Sequence, residues 1–111
     1  MLKEKIKTRK SPHQKVMVAD RFMCHYHLEE GRIKDFSLED NAVDSFYGIE
    51  VECFYNNEEF LDCVQLILCP QKDGVDDDQA REEYLTLRSA MVVISLSLEE
   101  YGIKVDKFYN G

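Results

Sequence analysis

The hydrophobic positions keep a period of two through the first two thirds of the chain and then change to a helical period. From Val16 to Leu28, the residues Val16, Val18, Phe22, Cys24, Tyr26 and Leu28 fall on one side. Met17, Arg21, Met23, His25, His27 and Glu29 fall on the other. This alternation predicts one half-buried strand. Asp20 interrupts its apolar side, which predicts a bulge or an exit at the sheet edge there.

Gly31 marks a hairpin. With a loop of Glu29, Glu30 and Gly31, and Gly31 at positive φ, Cys24 faces Phe36 and Phe22 faces Leu38. A one-residue slip would set Cys24 against a polar partner, so the apolar match selects the register. A second hairpin joins 48–55 to 60–69 through Asn56-Asn57-Glu58-Glu59. The expected register pairs Tyr55 with Phe60, Val51 with Val64 and Ile49 with Leu66, and puts Cys53 against Asp62 near the rim. The opposite face presents Phe54, Leu61, Cys63 and Ile67 among Glu50, Glu52 and Gln65. A sheet with one solvated face is normally more polar than this. The composition therefore predicts a cover: the N-terminal arm, the segment around Phe46-Tyr47, or another chain.

Pro70 and Gly74 close the strand region. Asp76-Asp77-Asp78 opens a helix, because aspartate satisfies free N–H groups and complements the positive end of the dipole. The helix is expected from about Asp77 to Tyr101, stopped by Gly102. Tyr84, Leu87, Met91, Ile94, Leu98 and Tyr101 form a narrow heptad-like seam, which Val92, Val93 and Leu96 widen. Such a helix is about 37 Å long, against about 25 Å for the strands, so an overhang that pairs with another chain is expected. Ile103, Val105 and Phe108 offer one last strand. The predicted fold is α+β: an antiparallel four- to five-stranded sheet packed on one long C-terminal helix. Residues 1–14 are expected to be a basic flexible arm and 15–111 a single domain.

Of the 111 residues, 44% are hydrophobic, enough for one modest core. The formal net charge of −8 is unevenly distributed. Residues 1–15 carry six basic residues against Glu4, and residues 16–111 carry a net of −13. An acidic body repels nucleic acid and anionic membranes and attracts basic partners. The arm has the composition of a nucleic-acid or localisation tail, and equally of a segment that lies back on the acidic body. Direct nucleic-acid binding by the body is not expected. Cys24, Cys53, Cys63 and Cys69 form no CxxC pair and follow no apolar leader. Free thiols in the cytoplasm are therefore expected rather than a disulfide framework. No apolar run reaches membrane-spanning length.

Few residues carry candidate chemistry. His25 and His27 point to one side of a strand, the spacing by which sheets hold zinc or copper, and Cys63 is a conceivable third ligand. The expectation is nevertheless no metal and no cofactor: there is no finger spacing and no glycine-rich phosphate loop. Cys24 and His25 are adjacent on a strand and point apart, so they do not make a nucleophile–base pair. The carboxylate pairs Glu29-Glu30, Glu39-Asp40, Glu58-Glu59, Glu82-Glu83 and Glu99-Glu100 read as solvated. The functional expectation is a non-enzymatic, acidic protein-binding domain. It has the character of an inhibitor, immunity or antidote protein covering a basic partner such as a nucleic-acid enzyme, with Glu50, Glu52, Phe54, Leu61, Ile67, Glu58 and Glu59 as the contact residues. The alternatives are a homodimeric structural or regulatory domain and a metal-responsive domain using the His-x-His strand.

Overall fold

The computed structural model describes residues 12–73 and 77–110. Residues 1–11 of the expected arm, Gly74 and Asp76 lie outside the described residues. The elements are β1 His13–Val18, β2 Phe22–Glu29, β3 Arg32–Asp40, β4 Tyr47–Tyr55, β5 Leu61–Pro70, α1 Asp78–Glu99 and β6 Lys104–Tyr109. The α+β class holds, but the single antiparallel sheet does not. There are two three-stranded sheets, ordered β1-β2-β3 and β4-β5-β6, and β6 runs parallel to β5. His13 and Gln14, the last residues of the expected arm, belong to β1.

The expected strand Val16–Leu28 is a hairpin. Ala19 and Asp20 both take positive φ, 57° and 51°, the arrangement of a type I′ turn, and Arg21 N donates to Val18 O at 3.1 Å. Val18 pairs with Phe22. Because these paired residues are an even number apart, the inward side chains keep their parity across the turn. A hairpin here and an uninterrupted strand therefore give the same sequence pattern.

Both later hairpins keep the expected parity but shift by two residues, for one shared reason. Cys24 pairs with Leu38 and Tyr26 with Phe36, the register breaking between His27 and Leu28. Ile49 pairs with Leu68, Val51 with Leu66 and Cys53 with Val64, the register breaking between Phe54 and Tyr55. Ile33 and Phe36 are three apart and both buried, as are Leu61 and Val64. Alternation cannot bury both members of such a pair. Each hairpin inserts one extra charged residue, Lys34 or Asp62, which leaves both apolar neighbours facing inward. Leu61 thus belongs to the core and not to the outer face. Cys53 also faces inward, donating its thiol hydrogen to Phe36 O at 3.4 Å.

The helix starts and stops where the sequence places its ends. The Asp77 side chain accepts from Ala80 N at 2.8 Å, and Gly102 at φ 83° supplies the left-handed residue after the last turn. Its 22 residues make about 33 Å. Leu87, Met91, Ile94 and Leu98 are buried as expected, whereas Tyr101, Val92, Val93 and Leu96 are exposed. The helix spans the inner faces of both sheets. Tyr26 of β2 shares a 2.7 Å hydroxyl hydrogen bond with Ser97, and Tyr47 of β4 meets Tyr84 edge-on at 5.1 Å. Having run back across the sheet, the chain can only re-enter beside β5 in the parallel direction.

A polar network ties the helix to three strand ends. Arg21 grips Asp40 with two hydrogen bonds of 2.8 and 3.0 Å, reaches Glu83 at 2.7 Å, and donates to Tyr47 O at 2.9 Å. Glu83 Oε1 accepts from the backbone N–H groups of Phe46 and Tyr47 at 2.7 and 3.0 Å. Asp40 and Glu83 are therefore not the solvated carboxylates their pairing in sequence suggested. Among the described residues, no helix is long and apolar enough to cross a membrane.

Candidate interaction face

The outer face of the β4-β5-β6 sheet gathers most of the predicted contact residues. Strand registry places Glu50, Glu52 and Phe54 of β4 beside Ile67, Gln65 and Cys63 of β5. The parallel pairing then sets Phe108, Asp106 and Lys104 of β6 beside the same three residues. The face therefore reads in rows: Glu50–Ile67–Phe108, Glu52–Gln65–Asp106 and Phe54–Cys63–Lys104. Phe54 and Phe108 are each 44% exposed, and Glu50 and Glu52 are exposed beside them. The segment around Phe46-Tyr47 does not cover this face, since Tyr47 is buried within β4 and Phe46 packs on the core.

Glu58 and Glu59 lie at the β4–β5 turn. Glu58 pairs with Arg32 at 3.3 Å, and Glu59 takes φ 67°. The Arg32 guanidinium also covers the Phe60 ring at 3.9 Å, and Lys34 approaches the same ring at 4.5 Å. This turn is thus fastened to β3 rather than held out as a free acidic tip. Sequence reasoning omitted Asp106 and Phe108 from the face. The signal was present: Val105 and Phe108 are three apart on a strand, so with Val105 inward Phe108 must point outward.

His25 and His27 share the outer face of the other sheet, and the structure adds His13. His13 Nε2 lies 2.8 Å from His25 Nδ1, and His25 Nε2 lies 3.0 Å from Glu39 Oε1. A consistent chain has His25 donating to Glu39 and His13 donating to His25. His13 is held below the usual histidine value by desolvation and then by the charges of His27, His25 and Lys15. The His27 ring lies flat on His13, with centroids 4.5 Å apart and planes at 8°, so their in-plane lone pairs do not converge. Cys63 is on β5, which is not a neighbour of β2, and lies against Asp106 at 4.0 Å. The conceivable His25/His27/Cys63 ligand set is therefore not brought together. Among the described residues, no group of three histidine, cysteine or acidic side chains has metal-holding geometry.

All four cysteines are free, and burial raises each of their pKa values, that of Cys24 to about 11. Nearby acids push the same way: Asp35 for Cys53, Asp106 for Cys63 and Glu50 for Cys69. The environments oppose thiolate formation, the reverse of what an activated nucleophile requires. Labelling the native chain with a soluble disulfide reagent at mildly alkaline pH should therefore modify Cys63 and Cys69 slowly. Cys24 should react only after denaturant is added. Rapid native labelling of Cys24 would contradict its placement.

No protein-family model matches the chain, and no curated protein or solved structure matches it significantly.

Proposed function

We propose that this chain is a non-enzymatic binding domain that recognises a basic protein surface through the outer face of the β4-β5-β6 sheet. The carrying observation is that half-exposed Phe54 and Phe108 share one sheet face with Glu50, Glu52 and Asp106. A lysine or arginine side chain is recognised by that combination. The ring faces attract the cation, and the carboxylates accept its hydrogen bonds. Aromatic residues are also enriched at interface centres, with polar and charged residues toward the rim. The net charge of −13 over residues 16–111 adds long-range steering toward such a partner.

An inhibitor, immunity or antidote protein that covers a nucleic-acid enzyme is the function this chemistry suits. The substrate-binding surface of such an enzyme is basic, and an acidic sheet face takes the place of the phosphates. The raised cysteine pKa values favour this reading over cysteine catalysis.

The test is a tagged capture from the native host lysate, followed by affinity measurement on the recovered protein. One stoichiometric basic partner is expected. Its affinity should fall at least about tenfold between about 50 and 500 mM salt, as a steered and partly exposed charge interface requires. Phe54→Ala with Phe108→Ala should abolish capture while leaving the melting temperature near that of the parent. Recovery of the bait alone, or salt-independent binding, would overturn the reading.

A further inference from the structure

Strand registry sorts the outer face of the β4-β5-β6 sheet into an apolar band with two charged flanks. Phe54 and Cys63 lie side by side at one end of the face, and Ile67 and Phe108 lie side by side at the other. Gln65 sits between them, midway along β5. The band therefore runs diagonally, from β4 at one end to β6 at the other. Glu50 and Glu52 flank it on β4, and Lys104 and Asp106 flank it on β6. One flank thus carries two negative charges, and the other carries one charge of each sign. Among the described residues, no ion pair engages Glu50, Glu52 or Asp106.

The dimensions of the band select the shape of what covers it. Neighbouring strands are about 4.8 Å apart, and alternate residues of one strand about 6.8 Å apart. Phe54 and Phe108 are two strands and two such steps apart, which puts the ends of the band about 17 Å from each other. Glu52 and Asp106 stand on either side of Gln65, about 10 Å apart. An α-helix is about 10 Å across, and about 11 of its residues cover 17 Å. An extended segment suits this face poorly. Its backbone N–H and C=O groups would be pressed onto phenylalanine, isoleucine and cysteine side chains, with the Gln65 amide the one uncharged partner in the band. A helix satisfies its own backbone and presents only side chains.

We propose that the element of the basic partner seated on this face is an amphipathic helix lying along the diagonal. This rests on the recognition of a basic surface by the same face, and adds the partner's shape and charge pattern. Apolar residues of the helix, spaced i, i+4, i+7 and i+11, rest on Phe54, Cys63, Ile67 and Phe108. Its lysines or arginines line one flank, where Glu50 and Glu52 accept their hydrogen bonds. Its other flank is uncharged, because a cation that approaches Asp106 also meets Lys104, two residues away on the same strand. The charge asymmetry between β4 and β6 therefore fixes which way the helix points.

The probe is a synthetic helical peptide of about 18 residues, with leucines at that spacing and lysines along one flank, titrated into the full isotope-labelled chain and followed by NMR. Amide signals of Phe54, Gln65 and Phe108 should shift, and those of Leu85 and Leu96 on the solvent side of α1 should not. Glu50→Lys with Glu52→Lys should weaken binding at least about tenfold, whereas Lys104→Gln should change it less than about threefold. These three positions are exposed, so the thermal midpoint should stay near that of the parent. A second peptide carries proline at a central position facing away from the sheet. It keeps every contacting side chain but cannot hold the helix, and should bind at least about tenfold more weakly. Equal binding of the two peptides, or shifts centred on α1, would overturn the helical occupant. So would a helical peptide that leaves the spectrum unchanged while the captured basic partner still binds through Phe54 and Phe108. Failure of both the peptide and the capture would remove the sheet-face reading itself.

Discussion

Replacing Leu87 with aspartate is expected to leave the chain unfolded at room temperature. Leu87 is fully buried at the middle of α1, on the seam with Met91 and Ile94. Removing its side chain alone costs about 2–5 kcal/mol, and an unpaired carboxylate in the same space adds its own desolvation. A domain of this size has only about 5–15 kcal/mol to lose. Far-UV circular dichroism and thermal melting give the readout. The control is Leu85→Asp, two residues earlier on the solvent side, which should change the chain's stability by less than about 0.5–1 kcal/mol. A cooperative melt of Leu87→Asp near the parent temperature would show that the 87–91–94–98 seam is not the core.

The second large effect concerns the Arg21 network. Arg21 and Glu83 have side chains only 14% and 18% exposed, and each holds other strand ends as well as its partner. Glu83→Ala removes the acceptor of two backbone N–H groups and one of the two carboxylates that Arg21 holds. A loss of about 2–4 kcal/mol is expected, somewhat below the cost of breaking a wholly buried pair. Glu83→Gln, which keeps an oxygen for the backbone, should cost less.

The same network gives stability an acid limit. Burial works against ionised Asp40, but the hydrogen bonds and charge of Arg21 and the Ala42 N–H outweigh it, so its pKa lies below the usual value. A carboxyl whose pKa is lower folded than unfolded stabilises the fold above its unfolded pKa. That contribution is lost as pH falls through the folded value. The parent's melting temperature should therefore decline below about pH 4. The decline should be shallower in Arg21→Met, whose Asp40 has lost its partner. Equal acid slopes in the two proteins would mean that Arg21 does not set the Asp40 titration.

Glu83 also shows where sequence reasoning failed. Side by side with Glu82, it has the pattern of an exposed helix face, and nothing local reveals an arginine 62 residues earlier. Asp40 next to Glu39 misled in the same way. The histidines behaved similarly. Their alternation placed His25 and His27 on one face, but only strand pairing brought His13 and Glu39 to them and kept Cys63 away. The outer face of the β4-β5-β6 sheet was legible on β4, where Glu50, Glu52 and Phe54 share a parity. It was misread at Leu61, where Asp62 changes the parity of the strand.

By itself, the sequence determined the features that depend on near neighbours. These are the α+β class, the helix with its aspartate cap and glycine stop, the inward-facing seam, and the inward parity of most strands. Each follows from periodicity or from backbone demands met within a few residues. The tertiary structure decided what parity leaves open. It split the strands into two sheets and turned one strand into a hairpin at Ala19-Asp20. It inserted Lys34 and Asp62 so that neighbouring apolar residues were both buried, and ran β6 parallel to β5. Alternation specifies which face a residue takes but not which strand lies beside it. That choice is made by long-range burial and by the ion network closing around Arg21, neither of which leaves a mark in any short window of sequence.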